Sequence, residues 1–116
     1  MKDYVSIAQG LFYFLTGLWA IVSIRTFQMV TGPKRDLWLV KTVGAIVAVV
    51  GAVLILAGLR SQVTFEIFVL AVGNCLALAA VDINYVSKGV IAKIYLWDAA
   101  AEIGLVLLWI IAWLAA

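Results

Sequence analysis

Apolar residues fill four long segments of the chain, and short polar connections separate these segments. Each segment is close to the roughly 20 residues that a helix needs to cross the hydrocarbon core of a bilayer. The strict alternation of a membrane barrel strand is missing throughout the sequence, and an open sheet would leave backbone groups unpaired in lipid. The pattern predicts an all-α integral membrane four-helix bundle with antiparallel, up-down-up-down topology, forming a single domain over residues 1–116. The predicted spans are 4–27, 37–59, 64–81 and 91–114.

The three connections differ in length and chemistry. The first, 28–36, reads QMVTGPKRD; its Gly32-Pro33 pair predicts a turn, and Asp36 is placed to cap the second helix. The second, about 60–63, is so short that the helices on either side of it should be antiparallel neighbours. The third, 82–90, reads DINYVSKGV and suits a headgroup layer.

Orientation follows from the distribution of lysine and arginine. Six of the eight cations flank the first and third connections, and two lie on the opposite side. By the positive-inside rule, loops 28–36 and 82–90 are cytoplasmic and both termini are outside, in a bacterial-type inner membrane or a plasma membrane. The six are Arg25, Lys34, Arg35, Lys41, Lys88 and Lys93, and the two are Lys2 and Arg60.

Small and weakly polar residues mark the inward faces of the first two helices. Helix two repeats Gly44, Gly51 and Gly58 at seven-residue intervals. Small residues at such spacing let helix backbones approach closely, which is a usual driver of association in lipid. We therefore expect this glycine face to form a tight wall. Helix one carries an inward stripe of the residues Gln9, Tyr13, Thr16, Ala20 and Ser23.

The last helix contains two carboxylates, Asp98 and Glu102, in an otherwise apolar segment. A spacing of four residues places both on one helix face, with Tyr95 and Trp109 on either side of them. A carboxyl group at membrane depth is rare, usually faces the bundle interior or a wet cavity, and points by default to a functional site. This face is the candidate site of the protein.

The two acids have different expected partners. From the helical rise, Asp98 lies at a depth that Arg25 or Lys41 can reach, so we expect an ion pair there, with Asp82 at a level similar to Arg25. No cation is evident at the depth of Glu102. Its expected neighbours are the neutral residues Asn74, Thr16 and Tyr13. They would leave Glu102 protonated or dependent on a bound cation or ligand amine.

Composition narrows the function classes further. The chain is 67% hydrophobic and 12% charged, with a net charge of +2, which gives no argument for nucleic acid. It has no histidine, one cysteine, Cys75, and no phosphate loop, dinucleotide fingerprint or nucleophile elbow. We predict no catalytic residues, no metal site and no cofactor. Enzymatic activity would require acid-base chemistry by Asp98 and Glu102 and is the minority interpretation.

Three functions fit these observations. The first is binding of a lipophilic small molecule or lipid, the second is proton- or cation-coupled transport by a homo-oligomer, and the third is an accessory or scaffold role in a larger membrane complex. We favour binding. In length and span number the chain is similar to the small multidrug-resistance transporters, but those proteins are organised around a glutamate in the first helix, which this chain lacks. The predicted pocket is lined by Tyr13, Thr16, Asn74, Tyr95, Asp98, Glu102 and Trp109.

Overall fold

A computed structural model describes residues 1–32 and 37–115, which form five helices and no strand. Four of these helices are long and apolar enough to cross a membrane. They confirm the predicted antiparallel four-helix membrane bundle. The predicted cap at Asp36 and the basic residues Lys34 and Arg35 lie outside the described residues. The helices are α1 (Lys2–Val22), α2 (Ile24–Thr31), α3 (Leu37–Leu59), α4 (Phe65–Ser87) and α5 (Tyr95–Ala115).

The first predicted span, 4–27, is divided at Ser23, where the backbone leaves the helical region with φ −140° and ψ 70°. The hydroxyl of Thr26 lies 2.7 Å from the Ser23 hydroxyl and accepts a hydrogen bond of 2.9 Å from the Trp19 indole. Such local bonds from serine and threonine compete with helix formation. The chain then makes the short helix α2, and Gly32, with φ +96°, follows its last residue, Thr31.

Helix α3 has the predicted bounds, and specific caps close the short connection that follows it. Ser61 adopts φ +51°, while the amide of Gln62 donates to the carbonyl of Ala57 across 2.9 Å, as in a Schellman motif. The Thr64 hydroxyl then accepts from the amide of Ile67 and caps α4. These bonds explain how so few residues reverse the chain direction.

Helix α4 continues to Ser87, past the predicted end at 81, and α5 starts at Tyr95 rather than at 91. The predicted loop 82–90 is therefore helical in its first part. The polar residues there lower the hydropathy, but Asp82 is buried against the bundle, so the helix persists through it. Asp82 is consequently an intrahelical residue and not a loop residue.

Helices α1 and α3 pack against each other through their glycines, which confirms the predicted tight wall. A Cβ added to Gly51 would lie 2.6 Å from the carbonyl oxygen of Gly10, and one added to Gly44 would lie 2.8 Å from that of Gly17. Backbone therefore touches backbone at these crossings. No side chain larger than hydrogen fits there without moving a helix.

Helix α4 packs mainly against α5, and α1 also contacts α5. Helices α3 and α4, predicted to be antiparallel neighbours, touch only slightly. The bundle thus consists of two pairs, α1/α3 and α4/α5, joined mainly through α1 and α5. An apolar core that includes Val5, Leu54 and Trp109 fills one end of this junction. The candidate site lies toward the other end, on the far side of Tyr13.

Candidate functional site

Glu102 is the most deeply buried carboxyl group of the described chain, with 1% of its surface exposed. The hydroxyl of Tyr13, equally buried on α1, donates a hydrogen bond of 2.7 Å to Glu102 Oε2. The same hydroxyl lies 3.6 Å from the sulfur of Cys75 on α4. Tyr13 thus brings α1, α4 and α5 together around the carboxylate.

Asp98 faces a second carboxyl group. Its side chain lies within hydrogen-bonding reach of Asp82, which projects from α4 and is 5% exposed. The predicted cationic partners are elsewhere, because Arg25 and Lys41 are both exposed and neither forms an ion pair with Asp98. The structure therefore brings Asp98 together with Asp82, and not with Arg25 or Lys41.

Three of the predicted site residues are engaged in other bonds. The hydroxyl of Thr16 donates to the carbonyl of Phe12 across 2.7 Å. The side-chain amide of Asn74 donates to the carbonyl of Leu70, also across 2.7 Å. Both bonds stay within one helix, so neither side chain holds Glu102. Trp109 is fully buried and donates across 2.6 Å to Gln9.

Gln9 links three helices below the carboxylates. Its side-chain oxygen accepts from Trp109 on α5, and its side-chain nitrogen donates across 3.1 Å to the carbonyl of Ala71 on α4. All polar atoms of this buried amide that the structure describes are engaged in the bundle. This network supports the site from beneath without lining it.

A cavity of about 580 Å³ opens beside Glu102. Helices α1, α3 and α5 form its walls, and α2 contributes residues at one end. Of the predicted pocket residues, five line it: Tyr13, Thr16, Tyr95, Asp98 and Glu102. Asn74 and Trp109 do not. The remaining wall is apolar and aromatic, and includes Phe12, Trp19, Phe27, Val43, Val47, Leu78 and Trp97.

No protein family, curated protein or solved structure matches this chain.

The cavity combines two carboxyl groups, those of Asp98 and Glu102, with a wall that is otherwise mostly apolar. Among the described residues, the hydrogen-bond donor to Glu102 is the neutral phenol of Tyr13, and no lysine or arginine lines the cavity. The described residues also contain no group of three or more acidic or cysteine side chains arranged to hold a metal ion. Such a site can attract a cation with an apolar body better than a bare ion or a neutral lipid chain.

Sequence reasoning did not identify the aromatic wall. Trp19 and Phe27 reach the cavity because the break at Ser23 redirects the chain into α2, where their rings pack edge to face 5.2 Å apart. The Ser23 and Thr26 pair was the available signal, since both residues favour helix ends over helix interiors. The sequence placed Asp82 at the level of Arg25, as a candidate for an ion pair with a cation. In the structure its charged neighbour is the carboxyl group of Asp98.

Proposed function

We propose that the protein binds a lipophilic monovalent cation, such as an amphiphilic amine or an onium ion, in the cavity between α1, α3 and α5. The observation that carries this proposal is the burial of Glu102, 1% exposed, at the wall of an apolar cavity with a neutral phenol as its hydrogen-bond donor. A buried carboxylate without a cationic partner is unfavourable in a low dielectric. A ligand that supplies the positive charge removes that penalty.

The walls of the cavity fit the rest of such a ligand. Trp19 and Trp97 line the same cavity as the two acids, and aromatic faces attract cations with about 0.5 to 2 kcal/mol, depending on desolvation. The volume of about 580 Å³ suits a drug-sized molecule. Trp97 lines the cavity and is 76% exposed, so we expect a ligand dissolved in the surrounding lipid to reach it.

Equilibrium dialysis of the protein in nanodiscs against tetraphenylphosphonium tests the proposal. We expect saturable binding to the wild type, weakened about tenfold or more by Glu102→Gln and by Asp98→Asn, which corresponds to about 1.4 kcal/mol. Glu66→Gln is the matched control because Glu66 is exposed and does not line the cavity. Equal affinities in all four proteins would refute the proposal.

An accessory role in a membrane complex is the second candidate, and one observation favours it. The small residues Gly73, Ala77 and Ala80 lie on the exposed side of α4, and no atom lies within 4 Å of a Cβ added to Gly73. An outward small-residue face suits association with another helix in lipid. If this face holds a partner helix, Gly73→Leu should lower the mass of the complex that is solubilised from the host membrane in mild detergent and measured by light scattering, and an unchanged mass would remove this candidate.

A further inference from the structure

Asp82 is a buried acid that the proposed cation site does not use. It projects from α4, is 5% exposed, and is not part of the cavity wall. Its Oδ2 atom has no hydrogen-bond partner among the described residues. Buried carboxyl oxygens without partners are rare in folded proteins, so this one requires an explanation.

The explanation lies in the groups around it. Asp82 faces Asp98, and the next acid along α5 is Glu102. Helix α1 contributes the phenol of Tyr13, which already donates to Glu102, and α4 contributes the thiol of Cys75. Helix α3 presents only apolar residues at this level of the cavity wall. The described surroundings therefore supply no positive charge to the two aspartates.

Two ionised carboxylates cannot remain side by side in such a site, because their repulsion is strong at low dielectric and both are acceptors only. A single proton bound to the pair removes both the charge repulsion and the lack of a hydrogen-bond donor. It removes one negative charge and creates the O–H donor that a hydrogen bond between two carboxyl groups requires.

We propose that Asp82 and Asp98 share one exchangeable proton and that a lipophilic cation entering the cavity displaces it. The displacement of the proton by a cation rests on the proposed function, whereas the shared proton does not. Before binding, the pair is one carboxylic acid and one carboxylate. After binding, both are carboxylates, the cation lies beside Asp98, and the proton has passed to water. No covalent bond to the ligand forms. The site carries a charge of −1 before binding, from the proton-sharing pair alone, and −1 after binding, from two carboxylates and one bound cation, because the proton that leaves balances the cation that enters.

Proton counting tests the exchange. Tetraphenylphosphonium carries no proton of its own, so any acid released into a weakly buffered suspension with a pH indicator comes from the protein. We expect about one proton per bound cation for the wild type. Asp82→Asn should keep saturable binding and release no proton, because its amide donates permanently to Asp98. Binding without release by the wild type, or equal release by Asp82→Asn, would overturn the exchange.

Infrared spectroscopy tests the shared proton without any ligand. In the Glu102→Gln background, so that Glu102 does not contribute, the protein should show the C=O stretch of a protonated carboxylic acid. This band should disappear with either Asp82→Asn or Asp98→Asn, each of which leaves a single carboxylate. A band that survives both substitutions, or that is missing before them, would refute the shared proton even if the cation binds. A band that behaves as expected in a protein that binds no cation would instead leave the proton pair standing and refute the proposed function.

Discussion

Tyr13 joins the first and last helices through one buried hydrogen bond to Glu102. Tyr13→Phe removes the hydroxyl and keeps the ring, so Glu102 loses its donor while the packing is unchanged. We expect the free energy of unfolding to fall by about 0.6 to 1.7 kcal/mol, the range found for side-chain bonds between helices in a membrane protein. Dodecyl sulfate denaturation in mixed micelles measures it. Tyr4→Phe is the control, since Tyr4 is 78% exposed, and an equal effect of both substitutions would contradict the assigned role.

Arg25 and Lys41 are exposed, so we expect that removing either side chain has little effect on the free energy of unfolding. Because neither forms an ion pair with Asp98, Arg25→Ala and Lys41→Ala should each change the free energy of unfolding by less than about 0.5 kcal/mol. The same denaturation assay measures this change. Had either cation paired with a buried Asp98, its removal would have left an unpaired charge and a loss of about 3 to 5 kcal/mol. A loss of that size for either variant would restore the ion pair expected from the sequence.

Individual contacts were predictable from sequence where depth and helix face leave one choice. Tyr13 lies on the inward face of the first helix at the depth of Glu102; it was one of three expected neighbours of this acid, and it is the one that donates a hydrogen bond to it. Thr16 and Asn74 satisfied the same two criteria, but each donates to a carbonyl four residues earlier in its own helix. That local alternative is always available to short polar side chains, so depth and face alone cannot identify their partners.

The glycines of α3 lie in the contact between α1 and α3, whereas Gly73 of α4 faces outward. Gly51→Ala places a methyl group 2.5 Å from the amide nitrogen of Phe14, so the helices must separate. We expect a loss of about 1 to 3 kcal/mol in unfolding free energy, as for an overpacked core. Gly73→Ala is the matched control in open space, where higher helix propensity should leave stability equal or slightly increased. Equal losses for both variants would show that α1 and α3 do not meet at Gly51.

Helix boundaries were predicted well where hydropathy changes sharply and poorly where polar residues remain helical. Helix α3 ends at the predicted residue, Leu59, because an apolar run that starts after Thr42 gives way there to the polar residues 60–62. Helix α4 passes its predicted end because Asp82 is buried against α5, a tertiary contact that a hydropathy profile does not contain. The break at Ser23 has the opposite cause, since local side-chain bonds end a helix within a sequence that remains apolar.

The pairing of helices also required the structure. A short connection predicted that α3 and α4 are antiparallel neighbours, but it did not show that the main contacts join α1 to α3 and α4 to α5. Glycine faces and the buried polar network decide this arrangement more than chain connectivity does. The cavity exists because α3 and α5 are both neighbours of α1 without filling the space between them.

The membrane orientation of the whole bundle is a prediction from its charges. The connection after α3 should be outside and the one after α4 should be cytoplasmic. Gln62→Cys and Ser87→Cys, each in a Cys75→Ala background, place single thiols on exposed residues at the two ends of α4. A membrane-impermeant maleimide added to intact cells should label the first and spare the second. The reverse labelling would invert the topology.

The central claim is that the two carboxylates make the cavity selective for positive charge. The most direct measurement compares the dissociation constants of tetraphenylphosphonium and tetraphenylborate, which have nearly the same shape and opposite charge, for one protein preparation in nanodiscs. Neutral lipid nanodiscs without protein correct for partitioning into the bilayer. We predict that the wild type binds the cation at least about a hundredfold more tightly, a difference of about 2.7 kcal/mol, and that Asp98→Asn/Glu102→Gln largely removes this preference. Equal affinity for the two ions, or a preference that survives the double substitution, would contradict the account.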